Sequence, residues 1–110
     1  MKREFAALLL ILSQGTALAA VHRCSVDAAD RAKKLLMFHL DQQEVSRMGF
    51  DSPTTAAPIK NPANPRQRFE VLEVVGYLQP HGEYRMRFIY YLLPSGCLLM
   101  GEEILERATL

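Results

Sequence analysis

Tyr84-Arg85-Met86-Arg87-Phe88-Ile89-Tyr90-Tyr91-Leu92-Leu93 is the stretch that decides how the rest of this chain folds. Side chains of an extended backbone point alternately to opposite faces, so Tyr84, Met86, Phe88, Tyr90 and Leu92 all share one face. That face is wholly apolar or aromatic and reads as one side of a strand packed on a core. The opposite face opens with Arg85 and Arg87. On either side of this strand lies a turn and then another strand. Phe69 to Leu78 is rich in Val and ends at Gln79-Pro80-His81-Gly82, while Pro94-Ser95-Gly96 leads into Cys97 to Glu106. An antiparallel meander of three strands follows. A two-residue loop at Pro94-Ser95 sets Arg87 opposite Glu102, and a three-residue loop with a bulge at Gly96 sets it opposite Glu103. Either register gives Arg87 a carboxylate.

Ahead of the meander, Ser25 or Asp27 can cap a helix that runs through Asp30 to about Met48, roughly five turns, with Gly49 as the stop. Ala28, Ala32, Leu35, Leu36, His39 and Leu40 recur at spacings of three and four, whereas Arg31, Lys34, Gln42 and Glu44 can face water. Between helix and meander, Phe50 to Arg66 holds Pro53, Pro58, Pro62 and Pro65. Proline lacks the N–H that ladders and helices need, so this segment is expected to be a long irregular connection. Neither a lone helix nor a bare sheet is stable, so the helix must bury its apolar stripe on the apolar sheet face. The expected fold class is α+β, one long N-terminal helix on a three-stranded antiparallel meander.

The N-terminal segment has the three-part layout of a secretory leader: Lys2 and Arg3, an apolar run from Phe5 to Leu12, then Ala17-Leu18-Ala19. Cleavage after Ala19 is expected, leaving residues 20–110 as a single small domain. The apolar run is too short for a bilayer, which takes about 20 residues. Cys24 follows Val21-His22-Arg23 and not a lipid-attachment box, so no anchor is expected. Export to the periplasm or beyond the cell places the chain's two cysteines, Cys24 and Cys97, in an oxidising compartment. They are expected to form one structural disulfide. Removing Lys2 and Arg3 from thirteen cations, and Glu4 from twelve acids, leaves eleven of each in the mature chain. Such a balance offers nothing to nucleic acid, and none is expected as a partner.

The order of elements, with Arg68-Phe69-Glu70-Val71-Leu72-Glu73-Val74-Val75-Gly76-Tyr77 and Gly82-Glu83-Tyr84-Arg85-Met86-Arg87-Phe88, resembles the cystatin-like fold. The resemblance implies a helix, a strand, a hairpin and a strand, and in the inhibitory members a Q-x-V-x-G motif at the first hairpin tip. Here Leu78-Gln79-Pro80-His81-Gly82 keeps the glycine alone, while Leu72-Glu73-Val74-Val75-Gly76 keeps the valine and the glycine. No Pro-Trp pair follows, since the chain has no tryptophan. No glycine precedes the helix in the mature chain.

Candidate chemistry is sparse. His39 beside the helix stripe can pair with a sheet carboxylate such as Glu73 for acid–base work in a helix-to-sheet pocket; its plainer role is that of a boundary histidine. Ser95 has no adjacent histidine to activate it. Cleavage after Ala19 would present Ala20-Val21-His22, whose amine, two amides and imidazole suit square-planar Cu(II) or Ni(II), with His22 as the ligand side chain. No other cofactor is expected. Gln79, Pro80 and His81 at the hairpin tip, with Arg85, Arg87 and Tyr91 on the outer sheet face, are the candidates for partner binding. Ile89, Tyr91, Leu98, Met100 and Ile104 make that face more apolar than solvent requires. A protein partner, a second copy, or the proline-rich segment folding across it is expected to cover it. The expected role is therefore binding or interaction, with a small enzyme or a cystatin-type protease inhibitor as the other readings.

Overall fold

The computed structural model describes residues 22–41 and 46–107, so the expected leader and the expected cleavage after Ala19 lie outside the described residues. Helix α1 spans Ser25–Leu40; the strands are β1 (Met48–Phe50), β2 (Thr54–Asn61), β3 (Asn64–Leu78), β4 (Gly82–Leu93) and β5 (Gly96–Glu106). The sheet is antiparallel, in the order β1-β3-β4-β5, with β2 also on β3 beyond β1. The class is α+β, one helix on one face of the sheet. No described helix is long and apolar enough to cross a membrane.

The alternation in β4 becomes the core. Tyr84, Met86, Phe88 and Tyr90 are buried, with Leu72 and Val74 of β3 beside them. Over this layer α1 lays Ala28, Ala32 and Leu36, spaced four apart and fully buried, so two small side chains let the helix backbone approach closely. Leu35 and Leu40 flank them, half-buried. Gly76 completes the contact: a Cβ there would sit 2.9 Å from Met86 Cε and 3.1 Å from Leu36 Cδ2. Cys24, immediately before α1, is bonded to Cys97 near the start of β5, with Cα atoms 5.9 Å apart. The expected disulfide is present. It ties the helix start to the strand farthest from it in sequence, and is compatible with an oxidising environment.

Several expectations are corrected. The helix stops at Leu40, well short of Met48, because Asp41 turns left-handed (φ 52°) and its N–H reaches back to the carbonyls of Met37 and Phe38. A short polar side chain tolerates that conformation, and Met48 starts β1 opposite Leu78. Cys24, whose side chain makes no capping hydrogen bond, takes the cap position expected of Ser25 or Asp27.

The proline-rich segment is not an irregular connection, and the sheet has five strands in place of three. Each proline falls where a missing N–H is harmless. Pro53 precedes β2, and Pro58 lies in a bulge between the pairs Ala56–Val71 and Ile59–Phe69 on an edge strand. Pro62 is in the β2–β3 turn, and Pro65 is the second residue of β3.

A further correction concerns register. The β4–β5 loop has two residues, with Leu93 opposite Gly96, yet Arg87 pairs with Glu103 because the register slips by one between Ile89 and Tyr90. Met100 is the extra residue of this bulge. Beyond it every β5 side chain changes face, so Ile104, expected on the outer face, stands opposite Met86 and packs against the core.

Candidate functional site

The sheet face away from α1 is built in rows that run across the strands. Ile59 stands opposite Phe69, and Tyr91 opposite Leu98. The Phe69 and Tyr91 rings meet edge to face at 6.3 Å, which joins the two pairs into one apolar row over four strands. The next row is Ala56, Val71, Ile89 and Gly101. After it comes Thr54, Glu73, Arg87 and Glu103, where Arg87 Nε donates to Glu73 Oε2 at 3.2 Å and its Nη1 lies 3.7 Å from Glu103 Oε1. Two apolar rows are thus fenced by an ionic one.

Val71, between its cross-strand neighbours Ala56 and Ile89, is only 3% exposed although no described helix lies over it. The rim of the band is open: Ile59 is 43%, Leu98 46% and Met100 51% exposed. Four strands at about 4.8 Å and two rows at about 7 Å make roughly 270 Å² of apolar surface. Standard interfaces take about 800 Å² per partner, so the band can be the centre of a contact but not all of one.

The structure divides the sequence candidates for partner binding. Arg85, Arg87 and Tyr91 lie on this face, Arg85 between Val75 and Leu105. Gln79, Pro80 and His81 are exposed in the β3–β4 turn at the other end of β4, some 30 Å from Tyr91 at about 3.3 Å per residue. The turn includes a cis Gln79–Pro80 bond, and the Gln79 amide donates to the Arg47 carbonyl at 3.0 Å. Near it, the Tyr77 hydroxyl donates to Asp51 Oδ2 at 2.8 Å and Arg107 Nη1 to Glu83 Oε1 at 3.0 Å, so polar pairs dominate this end. Ile59, Phe69 and Val71 belong to the band and are not among the sequence candidates. The alternation Phe69-Glu70-Val71 marks two of them, but Ile59 is hidden among prolines.

The proline-rich segment does not fold across the face. It joins the sheet edge as β2 and widens the face it might have covered.

On the helix side, His39 is exposed, with its ring 5.8 Å from that of Tyr84, while Glu73 lies on the opposite sheet face bonded to Arg87. The sheet therefore separates the two groups of the acid–base reading. An open hollow of about 360 Å³ does lie between α1 and β5, but Arg31, Lys34, Leu35, Phe38 and Glu102 line it. Ser95 is exposed in the β4–β5 turn. Ala20 and Val21 lie outside the described residues, and His22 Nδ1 accepts the Cys24 amide at 3.1 Å. Among the described residues no three His, Cys, Asp or Glu side chains converge as metal ligands.

A polar cluster fastens α1 to β4. Tyr90 Oη donates to Asp27 Oδ2 at 2.8 Å, and Arg31 Nε donates to the same oxygen at 2.7 Å. Burial works against the Asp27 charge, but the bonds from Arg31 and Tyr90 outweigh it and hold the carboxyl below its usual range. Burial first, and then the bond to Asp27, push the Tyr90 phenol above its own range. Tyr90→Phe is expected to cost about 1 kcal/mol in urea unfolding, the net value of one hydrogen bond. Because the folded carboxyl is the stronger acid, Asp27 contributes stability above the unfolded carboxylate pKa of about 3.9, and this is lost as pH falls through the folded value. Asp27→Asn should accordingly be less stable than the parent near neutrality, with the gap closing on acidification below about pH 4. A gap that stays constant down to pH 2 would rule out this linkage.

No family model, curated protein or solved structure matches the chain.

Proposed function

We propose that this chain is an exported, disulfide-linked interaction domain of cystatin-like architecture that takes a protein partner on the outer face of its sheet. In this reading the leader is removed after Ala19, and residues 20–110 work as one small domain in the periplasm or outside the cell. The observation that supports it most is the apolar band of Ile59, Phe69, Val71, Ile89, Tyr91 and Leu98 on a face that no described element covers. An exposed apolar patch rimmed by polar rows fits the core-and-rim pattern of protein interfaces. Strand pairing and the Glu73–Arg87–Glu103 row hold its side chains in place, which lowers the entropic cost of binding.

The test uses the exported protein and three variants, each first shown to keep its fold by circular dichroism. Ile59→Asp and Leu98→Asp place a charge in the band, while Val26→Asp places the same charge on α1, where Val26 is 81% exposed. A saturable complex formed by the parent and by Val26→Asp, and lost in both band variants, is the expected outcome. Equal complexes with all three variants would move the binding surface elsewhere.

A further inference from the structure

Each row of the outer face runs β2, β3, β4, β5 and has matching residues at equal distances from its middle. In the row at the open rim, Ile59 and Leu98 are the outer pair and Phe69 and Tyr91 the inner pair. In the next, the small residues Ala56 and Gly101 flank the β-branched pair Val71 and Ile89. In the ionic row Glu73 and Arg87 take the middle, between Thr54 and Glu103. A two-fold axis parallel to the strands and midway between β3 and β4 exchanges β2 with β5 and β3 with β4. It therefore lays large apolar groups on large, small on small, and carboxylate on guanidinium. Such self-matching is what an isologous contact requires, because one patch must serve as both halves.

We infer that the outer face binds a second copy of this chain, sheet on sheet, about that two-fold axis. This rests on the interaction reading above and names the partner. Ile59 then lies on the partner's Leu98 and Phe69 on the partner's Tyr91, each contact occurring twice. Glu73, already bonded to Arg87 of its own chain, lies on the partner's Arg87, so the two pairs form a square of alternating charge. Aligned sheets pack about 10 Å apart and about 30° off parallel, which keeps the rows facing one another near the axis. An axis across the strands, through the middle row, would set the ionic row on Ile59, Phe69, Tyr91 and Leu98 and bury charges without partners. Pairing along the open edge of β5 is opposed by Glu102, Glu103 and Glu106 on that strand.

Area sets the strength of the contact. Beyond the ionic row lie Val75, Arg85 and Leu105, the last 56% exposed. At about 4.8 Å between strands and about 7 Å between rows, the whole face comes to about 500 Å² per copy. The dimer thus buries about 1,000 Å² over both copies, the least that a specific interface needs and less than the standard size. Such a dimer is reversible, and its population follows protein concentration.

The test is sedimentation equilibrium of the exported protein from about 1 to about 300 μM, over which the mass should rise from one copy toward two. Ile59→Asp and Leu98→Lys, each shown to fold by circular dichroism, put an unmatched charge into the contact twice, and each alone should weaken association at least about tenfold. In an equimolar mixture the acid introduced in one copy meets the amine introduced in the other, while the second Ile59–Leu98 contact is native. The mixture should therefore dimerise within about tenfold of the parent. Within one copy β3 and β4 separate the two positions, so the effect needs two chains. Val26→Asp, on α1, should dimerise like the parent. A parent that stays a single copy throughout, single variants that dimerise as it does, or a mixture that remains monomeric would each overturn the inference. If Leu98→Asp then still abolished a saturable complex with another protein, the interaction face would stand and its partner would be a different chain.

Discussion

Cys24→Ser combined with Cys97→Ser lowers the unfolding free energy by about 4 kcal/mol, the loop-closure value for a cross-link of this span. The two residues are 73 apart in sequence, so the bond removes a large part of the unfolded chain's freedom. In the folded protein it joins the start of α1 to the edge strand β5, and both cysteines belong to or pack on the core. Small domains hold only a few kcal/mol of net stability, so this loss should leave the serine variant largely unfolded at 37 °C. Urea unfolding of the parent with and without reductant gives an independent reading. The reduced parent should match the double variant, and a reduced protein as stable as the oxidised one would refute the assignment of this stability to the bond.

Phe88→Ala should cost about 3–5 kcal/mol, the usual range for emptying an aromatic site in a core. Phe88 is fully buried on the central strand beneath α1, beside Leu72 and Met86. Its neighbour in sequence, Ile89, points to the other face and is half-buried beside Val71 and Gly101. Ile89→Ala should therefore cost markedly less than Phe88→Ala, about 1–2 kcal/mol. Urea midpoints for the two variants measure the difference between the faces directly. Similar losses would mean that both faces are buried to the same depth in solution, as they would be if the band were already covered.

Much of this was legible before any coordinates. The alternation of Tyr84, Met86, Phe88 and Tyr90 identified the core face of β4, since period-2 spacing has one structural meaning. The stripe of Ala28, Ala32 and Leu36 did the same for α1. Two cysteines in the whole chain left a single pairing. Less was legible where a residue's meaning depends on its partner strand. Pro58 and Pro65 read as barriers to sheet structure, yet on an edge strand or at a strand's start the absent N–H faces no neighbour. The helix end was misplaced because Gln42, Gln43 and Glu44 are good helix formers and nothing local requires Asp41 to turn.

The binding candidates divided in the same way. Arg87 and Tyr91 were found because β4 alone assigns them to the outer face. Ile59 and Phe69 became their neighbours only through long-range pairing of β3 with β2 on one side and β4 on the other. The His39–Glu73 pair was ruled out by a sheet that lies between them.

The sequence by itself determined the class of fold, the face of β4 that is buried, the disulfide and the side-chain stock of the outer face. These follow from alternation, periodicity and count, which are local or need no geometry. Only the tertiary structure decided that the proline-rich segment is a strand, that Met100 is a bulge turning Ile104 inward, and that Ile59 and Phe69 join Tyr91 and Leu98 in one apolar row. Register and adjacency are properties of pairs of strands, and a one-residue slip reverses every side chain beyond it.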